Sequence, residues 1–352
     1  MNKGAIIGLR IVGILAGIAV LIGLGAYLYF RINSPHFFRI ARDIETATVR
    51  IALEDLDGAI LIEGMHACEN LYLEQETMRV YVADLGGHIH LLDGESREQL
   101  EIVKSLDTGR TALGLEKGPD GFLYAVLGID RFDTPSWIEQ GGAVYRVDTE
   151  LDQFVKVTEN YPAMNGLACG SAGRCYFASS NFDFFRPEGN VYMFQIGPDD
   201  SPLKPELVFP DVGLANGLHY NARLNRMYLS DTLETVTAFT PGEQSLELVY
   251  RKATYMEGID DICTDRQGNL WMTSPLESTL KSYNPRTKQL VRYEIEGIGQ
   301  TTACGIREEA GEEVLYVTEL NKKQSLKSMT AYDGRGLLIV PVKSLLAIGP
   351  DS

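Results

Sequence analysis

Gly121-Phe122-Leu123-Tyr124, Gly173-Arg174-Cys175-Tyr176, Asn225-Arg226-Met227-Tyr228 and Gly268-Asn269-Leu270-Trp271 share one pattern: a turn residue, then a short run closed by an aromatic. Tyr81 precedes this set and Tyr316 follows it, so six aromatics recur at intervals of 43 to 52 residues. A repeat of that length is one four-stranded sheet of a β-propeller, a unit that cannot bury its faces alone. Six repeats predict an all-β, six-bladed β-propeller with blades near 60–105, 106–158, 159–210, 211–253, 254–298 and 299–345. Turn signals at Gly118-Pro119-Asp120-Gly121, Gly170-Ser171-Ala172-Gly173 and Arg266-Gln267-Gly268-Asn269 join the two innermost strands of their blades. Thr46 to Leu53 alternates apolar and polar, as a strand does, and is expected to complete the last blade and close the ring. The wider spacings mark insertions at Arg131–Gln140 and Asn181–Glu188, overhanging one face of the disc.

Ahead of the propeller, Ile11 to Phe30 is an uninterrupted uncharged stretch, long enough to span a bilayer as a helix. Its end, Tyr27-Leu28-Tyr29-Phe30, is an aromatic edge with no small-residue cleavage site, so an uncleaved transmembrane anchor is expected rather than a signal peptide. Ser34-Pro35 then stops the helix. The predicted organisation is a membrane anchor over 1–32, a linker over 33–45 and the propeller over 46–352, the propeller lying on the extracytoplasmic side (periplasmic, lumenal or extracellular). Flanking charges at Lys3, Arg10, Arg31, Arg39 and Arg42 are balanced and do not by themselves set that side.

Hydrophobic residues make up 45% of the 352 residues and charged residues 23%, enough for a large core. A net charge of −16 without a Lys/Arg cluster argues against nucleic acid as a partner. The cysteines (Cys68, Cys169, Cys175, Cys263, Cys304) lack metal-type CxxC spacing. Cys169 and Cys175 flank a turn, and are either a disulfide across a hairpin or two buried thiols.

In a propeller the innermost strands all begin near the tunnel mouth. Counting back eleven or twelve residues from each aromatic gives Glu69, Leu113, Asn165, Asn216, Asp260, and Cys304 or Gly305. Three of these lie in related settings: Met164-Asn165-Gly166-Leu167, Ala215-Asn216-Gly217-Leu218 and Ile259-Asp260-Asp261-Ile262. Taken singly, Asn-Gly reads as a turn opening a strand. In phase, these side chains bring oxygens to one low-dielectric point, where they repel unless a cation sits among them. Oxygen donors without thiolate or clustered imidazole favour one Ca²⁺ over Mg²⁺, Mn²⁺ or Zn²⁺.

From about residue 55 to 345 these motifs resemble the calcium-dependent six-bladed propellers: paraoxonase/arylesterases, the regucalcin–gluconolactonase group and, more distantly, strictosidine synthase-like proteins. The likeness is best through Met164-Asn165-Gly166 with Tyr176-Phe177-Ala178-Ser179-Ser180-Asn181, Ala215-Asn216-Gly217-Leu218, and Asp260-Asp261-Ile262-Cys263-Thr264-Asp265. The resemblance implies that Glu69, Asn165, Asn216 and Asp260 hold a catalytic calcium, with Asp261 a further ligand. Glu63-Gly64 also resembles the gluconolactonase opening and keeps Glu63 as the alternative blade-one ligand. Leu113 and Asp130 stand where paraoxonases carry a histidine dyad. Asn70 and Gly166 stand where they hold a second, structural ion. Ala163 replaces the arginine with which gluconolactonases contact sugar hydroxyls, which implies a less polar substrate.

The expected function is a membrane-tethered, Ca²⁺-dependent lactonase or arylesterase acting on a small lactone or ester, with Asp260, Asp261 or Glu69 activating water. Phe182, Phe184 and Phe185 of the blade-three insertion are candidate substrate contacts, or pack on their own blade. His219 is the histidine nearest the proposed mouth, as a substrate contact or as filler of a strand face. The alternative is a non-enzymatic anchored propeller that binds a protein or small-molecule partner.

Overall fold

The computed structural model describes residues 23–25, 27–29, 31–131, 140–181, 183, 185–197, 203–255, 257–320 and 336–348. The chain divides into two compact units, Met1–Arg39 and Ile40–Ser352. In the first, the described residues between 23 and 33 are helical, and a 3₁₀ turn follows at Pro35–Phe38. Most of the expected membrane span over 11–30 lies outside the described residues. Among the described residues, no helix is long and apolar enough to cross a membrane.

In the second unit the described strands form six sheets, one per blade. Their innermost strands begin at Cys68–Leu73, Ala112–Lys117, Met164–Cys169, Ala215–Asn221, Ile262–Thr264 and Thr301–Glu309. Each register aromatic sits on the second strand of its blade and is buried: Tyr81, Tyr124, Tyr176, Tyr228, Trp271 and Tyr316. These side chains act as wedges between blades. Tyr176 packs edge-on against Phe239 of blade four at 5.2 Å, and Trp271 shares a cluster with Leu315, Val317 and Leu338 of blade six. Tyr316 shares one with Leu71, Leu73 and Val82 of blade one, which carries the pattern around the ring. Burying one such ring removes about 150–250 Å² from water, worth at most about 4–6 kcal/mol. The sequence period is therefore a packing period.

Ring closure differs from expectation. Glu45–Ala52 does not complete the last blade. It pairs in parallel with Gln289–Glu296 as a fifth, outer strand of blade five. The closing strand is Ile60–Glu63, antiparallel to Gly336–Pro341 on the outside of blade six. Blade one accordingly starts at Cys68, not near residue 60. The alternating pattern marked a strand correctly but carried no information about its partner.

Glycines set how closely the innermost strands approach at the axis. A Cβ on Gly114 would lie 2.4 Å from the Asn165 carbonyl oxygen, and one on Gly166 would lie 2.2 Å from that of Asn216. One on Gly217 would lie 2.4 Å from Asp261 Oδ1. All three glycines directly follow a mouth position, so the Asn-Gly pairs are strand residues chosen for close approach, not turns. Disulfides link Cys169 to Cys175 across the blade-three hairpin, and Cys263 to Cys304 between blades five and six. Cys68 is free and buried.

Candidate functional site

Strand pairing gives the mouth register directly. The residues opposite the six aromatics are Tyr72, Glu116, Ala168, His219, Cys263 and Gly305. Three residues upstream of these lie Glu69, Leu113, Asn165, Asn216, Asp260 and Thr302. The first five are the positions expected from the sequence. In blade six the position belongs to Thr302, not Cys304 or Gly305, because that blade's hairpin runs to Glu309 before it turns. The Thr302 hydroxyl donates to the Cys68 carbonyl at 2.7 Å, joining blades six and one beside Glu69. Glu63, the alternative to Glu69, is exposed on the outer strand of blade six.

Glu69, Asn216, Asp260 and Asp261 converge. Asn216 Nδ2 donates to Asp260 Oδ1 at 2.5 Å and to Thr232 Oγ1 at 3.0 Å, leaving its carbonyl oxygen as the atom able to ligate. The Asp260-Asp261 backbone is held from both sides: Gly217 N–H and the Ser230 hydroxyl donate to the Asp260 carbonyl, at 3.0 and 2.6 Å. The Asp261 N–H donates to Thr273 Oγ1 at 3.0 Å. Asn165 is buried between Leu113 and Asn216 around the ring.

The electrostatics are those of crowded carboxylates. Burial, then the charges of Asp260 and Asp261, hold the Glu69 carboxyl well above the usual carboxylate range. Burial pushes Asp260 up to about 7 against the hydrogen bond from Asn216, and burial with the Asp260 charge pushes Asp261 up to about 8. Asp261 Oδ1 is buried without a hydrogen-bond partner, a costly state for a carboxylate oxygen. A hard dication among these oxygens would remove both the repulsion and the orphaned acceptor, so the residues fit the ion that their chemistry implies.

The segment that delivers Asp260 is anchored by Glu257, whose Oε2 accepts the Ala253 N–H at 2.8 Å. Its Oε1 accepts Tyr250 Oη–H at 2.6 Å and pairs with the fully buried Lys281 at 2.9 Å. Glu277 joins Lys281 and Arg292 to the same network. Sequence reading misses this support, because charges some twenty residues apart on different elements leave no periodic signal.

The remaining expected site residues lie elsewhere. Phe182 and Phe184 lie outside the described residues. Phe185 is 54% exposed on the loop that leaves blade three at the mouth end. His219 is not at the mouth. It sits further down its strand, bonded to Thr264 Oγ1 at 2.9 Å, and burial lowers it to about 4. There it lines a cavity of about 460 Å³ at the opposite end of the tunnel with Tyr72, Glu116, Asn221, Thr264 and Arg266. Asp261 reaches the inner end of that chamber.

The chain is a six-bladed propeller with carboxylates and a carboxamide gathered at one axial mouth. Residues 72–321 match the family described as the SMP-30/gluconolactonase/LRE-like region, and the chain belongs to that family. Among solved structures it is similar to a calcium-binding protein, regucalcin, from Agrobacterium tumefaciens, at 15% identity, covering 84% of this chain and 95% of that one, with a TM-score of 0.62. A gluconolactonase from Xanthomonas campestris gives 20% identity over 81% and 90% of the two chains, with a TM-score of 0.55. A luciferin-regenerating enzyme gives 14% identity over 81% and 96%, with a TM-score of 0.58. At these identities the structural likeness speaks for the fold alone. No curated protein matches the chain by sequence.

Proposed function

We propose that this chain is a Ca²⁺-dependent lactonase that also accepts aryl esters, held at a membrane by residues 11–30 with its propeller on the extracytoplasmic side. The observation that carries the reading is the axial cluster of Glu69, Asn216, Asp260 and Asp261 with its orphaned Asp261 Oδ1. Glu69, Asn165, Asn216, Asp260 and Asp261 would hold the ion. When bound, it supplies positive charge that polarises the ester carbonyl and steadies the developing oxyanion.

The chain's own residues supply the proton chemistry. Leu113 at the mouth cannot take a proton, so the role falls to a carboxyl. Asp260, Asp261 and Glu69 are the carboxyls placed at the mouth to accept a proton from attacking water and return it to the leaving oxygen. Ala163, buried before Asn165, offers no charge to sugar hydroxyls, and the exposed Phe185 lies on the loop at that end. Both features support a substrate of modest polarity. The two disulfides suit an oxidising compartment, in keeping with an extracytoplasmic propeller.

The test is turnover of a panel of aliphatic lactones, sugar lactones and aryl acetates by the full chain in detergent. Hydrolysis that stops with a calcium chelator and returns with Ca²⁺ is the expected result. A folded protein that turns over nothing in the panel, with or without Ca²⁺, overturns the enzyme reading in favour of an anchored binding propeller.

A further inference from the structure

Three of the chain's five histidines, His66, His88 and His90, gather at blade one, away from the cluster just described. The turn between its second and third strands, Val80–Asp84 and His88–Asp93, brings Asp84, His88 and His90 together. One ligand atom from each lies within 4.8 Å of the others. Asp84 is fully buried. Its Oδ2 lies 2.9 Å from His90 Nε2, and its Oδ1 lies 3.5 Å from His88 Nδ1 while accepting the His88 N–H at 2.8 Å. His90 Nδ1 is held by the exposed Ser105 hydroxyl at 2.7 Å, which fixes the ring and aims Nε2 at the carboxylate. The His88 ring stacks between His66 and His90, with centroids 6.2 and 5.6 Å away.

A simple hydrogen-bonded chain from Asp84 through His90 to Ser105 accounts for two of these three side chains. It leaves out His88, whose Nδ1 is buried and has no hydrogen-bond partner although it faces a carboxylate. One dication in place of the proton between His90 Nε2 and Asp84 would satisfy all three groups. Carboxylate oxygens keep lone pairs beyond those already used, so the bond from the His88 N–H need not be given up.

We propose that Asp84, His88 and His90 form a second metal site, selective for Zn²⁺ or a like transition ion and separate from the calcium cluster. Two imidazole nitrogens and one carboxylate oxygen are a zinc donor set and a poor one for Ca²⁺. Ser105 is the outer partner that orients a ligating imidazole. Three protein ligands leave the fourth position of a tetrahedral ion for water. Asp107, paired with His88 across the sheet, is itself neutralised by Arg131. Asp84 pairs with Cys68, the neighbour of Glu69, so zinc at this turn would brace the start of the strand that enters the calcium cluster.

The full chain, stripped with chelator and resaturated with Ca²⁺, is titrated with Co²⁺ and then with Zn²⁺ as competitor. One equivalent of Co²⁺ with the visible absorption of a four-coordinate nitrogen–oxygen site, displaced by one Zn²⁺, is expected. His88→Ala and His90→Gln should each weaken Zn²⁺ by more than the ~10–100-fold known for outer-shell partners. His66→Ala should retain the site. If His90→Gln fails to fold, His88→Ala decides, since that side chain is partly exposed and melts report its integrity. Sub-stoichiometric Zn²⁺ in the wild type, or unchanged affinity in His88→Ala, overturns the proposal. The readout involves no substrate, so it stands or falls separately from the hydrolase reading.

Discussion

Where the six innermost strands begin, Glu69, Asn216, Asp260 and Asp261 crowd together beside the buried Asn165, and glycines let the strands nearly touch. Where the same strands end, they part around a chamber of about 460 Å³ that holds His219, Glu116 and Arg266. The backbone is shared, and the crowding differs. At the mouth, three carboxyls are raised by burial and, for Glu69 and Asp261, by the charge of neighbouring carboxylates. At the far end, burial alone raises the carboxyl of Glu116, and a neutral imidazole is settled against a threonine hydroxyl. The contrast teaches that a propeller axis is not one site: distance along each strand decides whether the converging side chains collide or line a space.

The comparison breaks most decisively at Asp260. Asp260→Asn should lower kcat/KM for the best lactone by at least about 10²–10³-fold, the scale of losing one preorganised stabilising group, while His219→Gln stays within about threefold. Equal losses from both would show that the two ends act as one site. Glycine substitution sharpens the difference in packing. Gly166→Ala forces a Cβ onto backbone and should cost about 1–3 kcal/mol in urea unfolding. At Gly305 the nearest atoms are the Leu71 and Leu73 side chains, at 2.9 and 3.0 Å, which can yield, so Gly305→Ala should cost less.

Acid and base separate Asp260 and Asp261 from His219 by sign. Without calcium, the folded state holds protons on Asp260 and Asp261 to about 7 and 8, whereas the unfolded chain sheds them near 4. That contribution to stability is therefore lost as pH rises across this window. For His219 the unfolded imidazole takes a proton near 6.5 and the folded one only near 4, so its contribution is lost as pH falls between them. Melting temperatures from pH 4 to 8 in chelator should show Asp261→Asn flattening the alkaline loss and His219→Gln flattening the acid loss. The smallest effect is expected at Thr302→Val, which removes the hydroxyl bond to the Cys68 carbonyl and should cost about 1 kcal/mol in urea.

Much of this was legible in the chain. The aromatic period reports the wedges between blades, and those must recur wherever blades pack, so the six repeats and the positions of Glu69, Asn165, Asn216 and Asp260 followed from one register. Thr302 was hidden because a longer hairpin in blade six breaks the count from Tyr316. The partner of Glu45–Ala52 was hidden because alternation names a strand and not its neighbour. The Glu257–Lys281 pair and the Asp84–His88–His90 group arise from tertiary contact, which no single-sequence period encodes.

The outer strands of blades five and six are the first of the propeller's strands to be synthesised, yet their partners come near the end of the chain. Arg50 meets Glu294 across 244 residues. While a ribosome makes this protein, Glu45–Ala52 and Ile60–Glu63 must wait as bare edges through the translation of almost every other blade. Nascent chains arrested before Gly336–Pro341 should therefore be the species that depend most on a chaperone's hold.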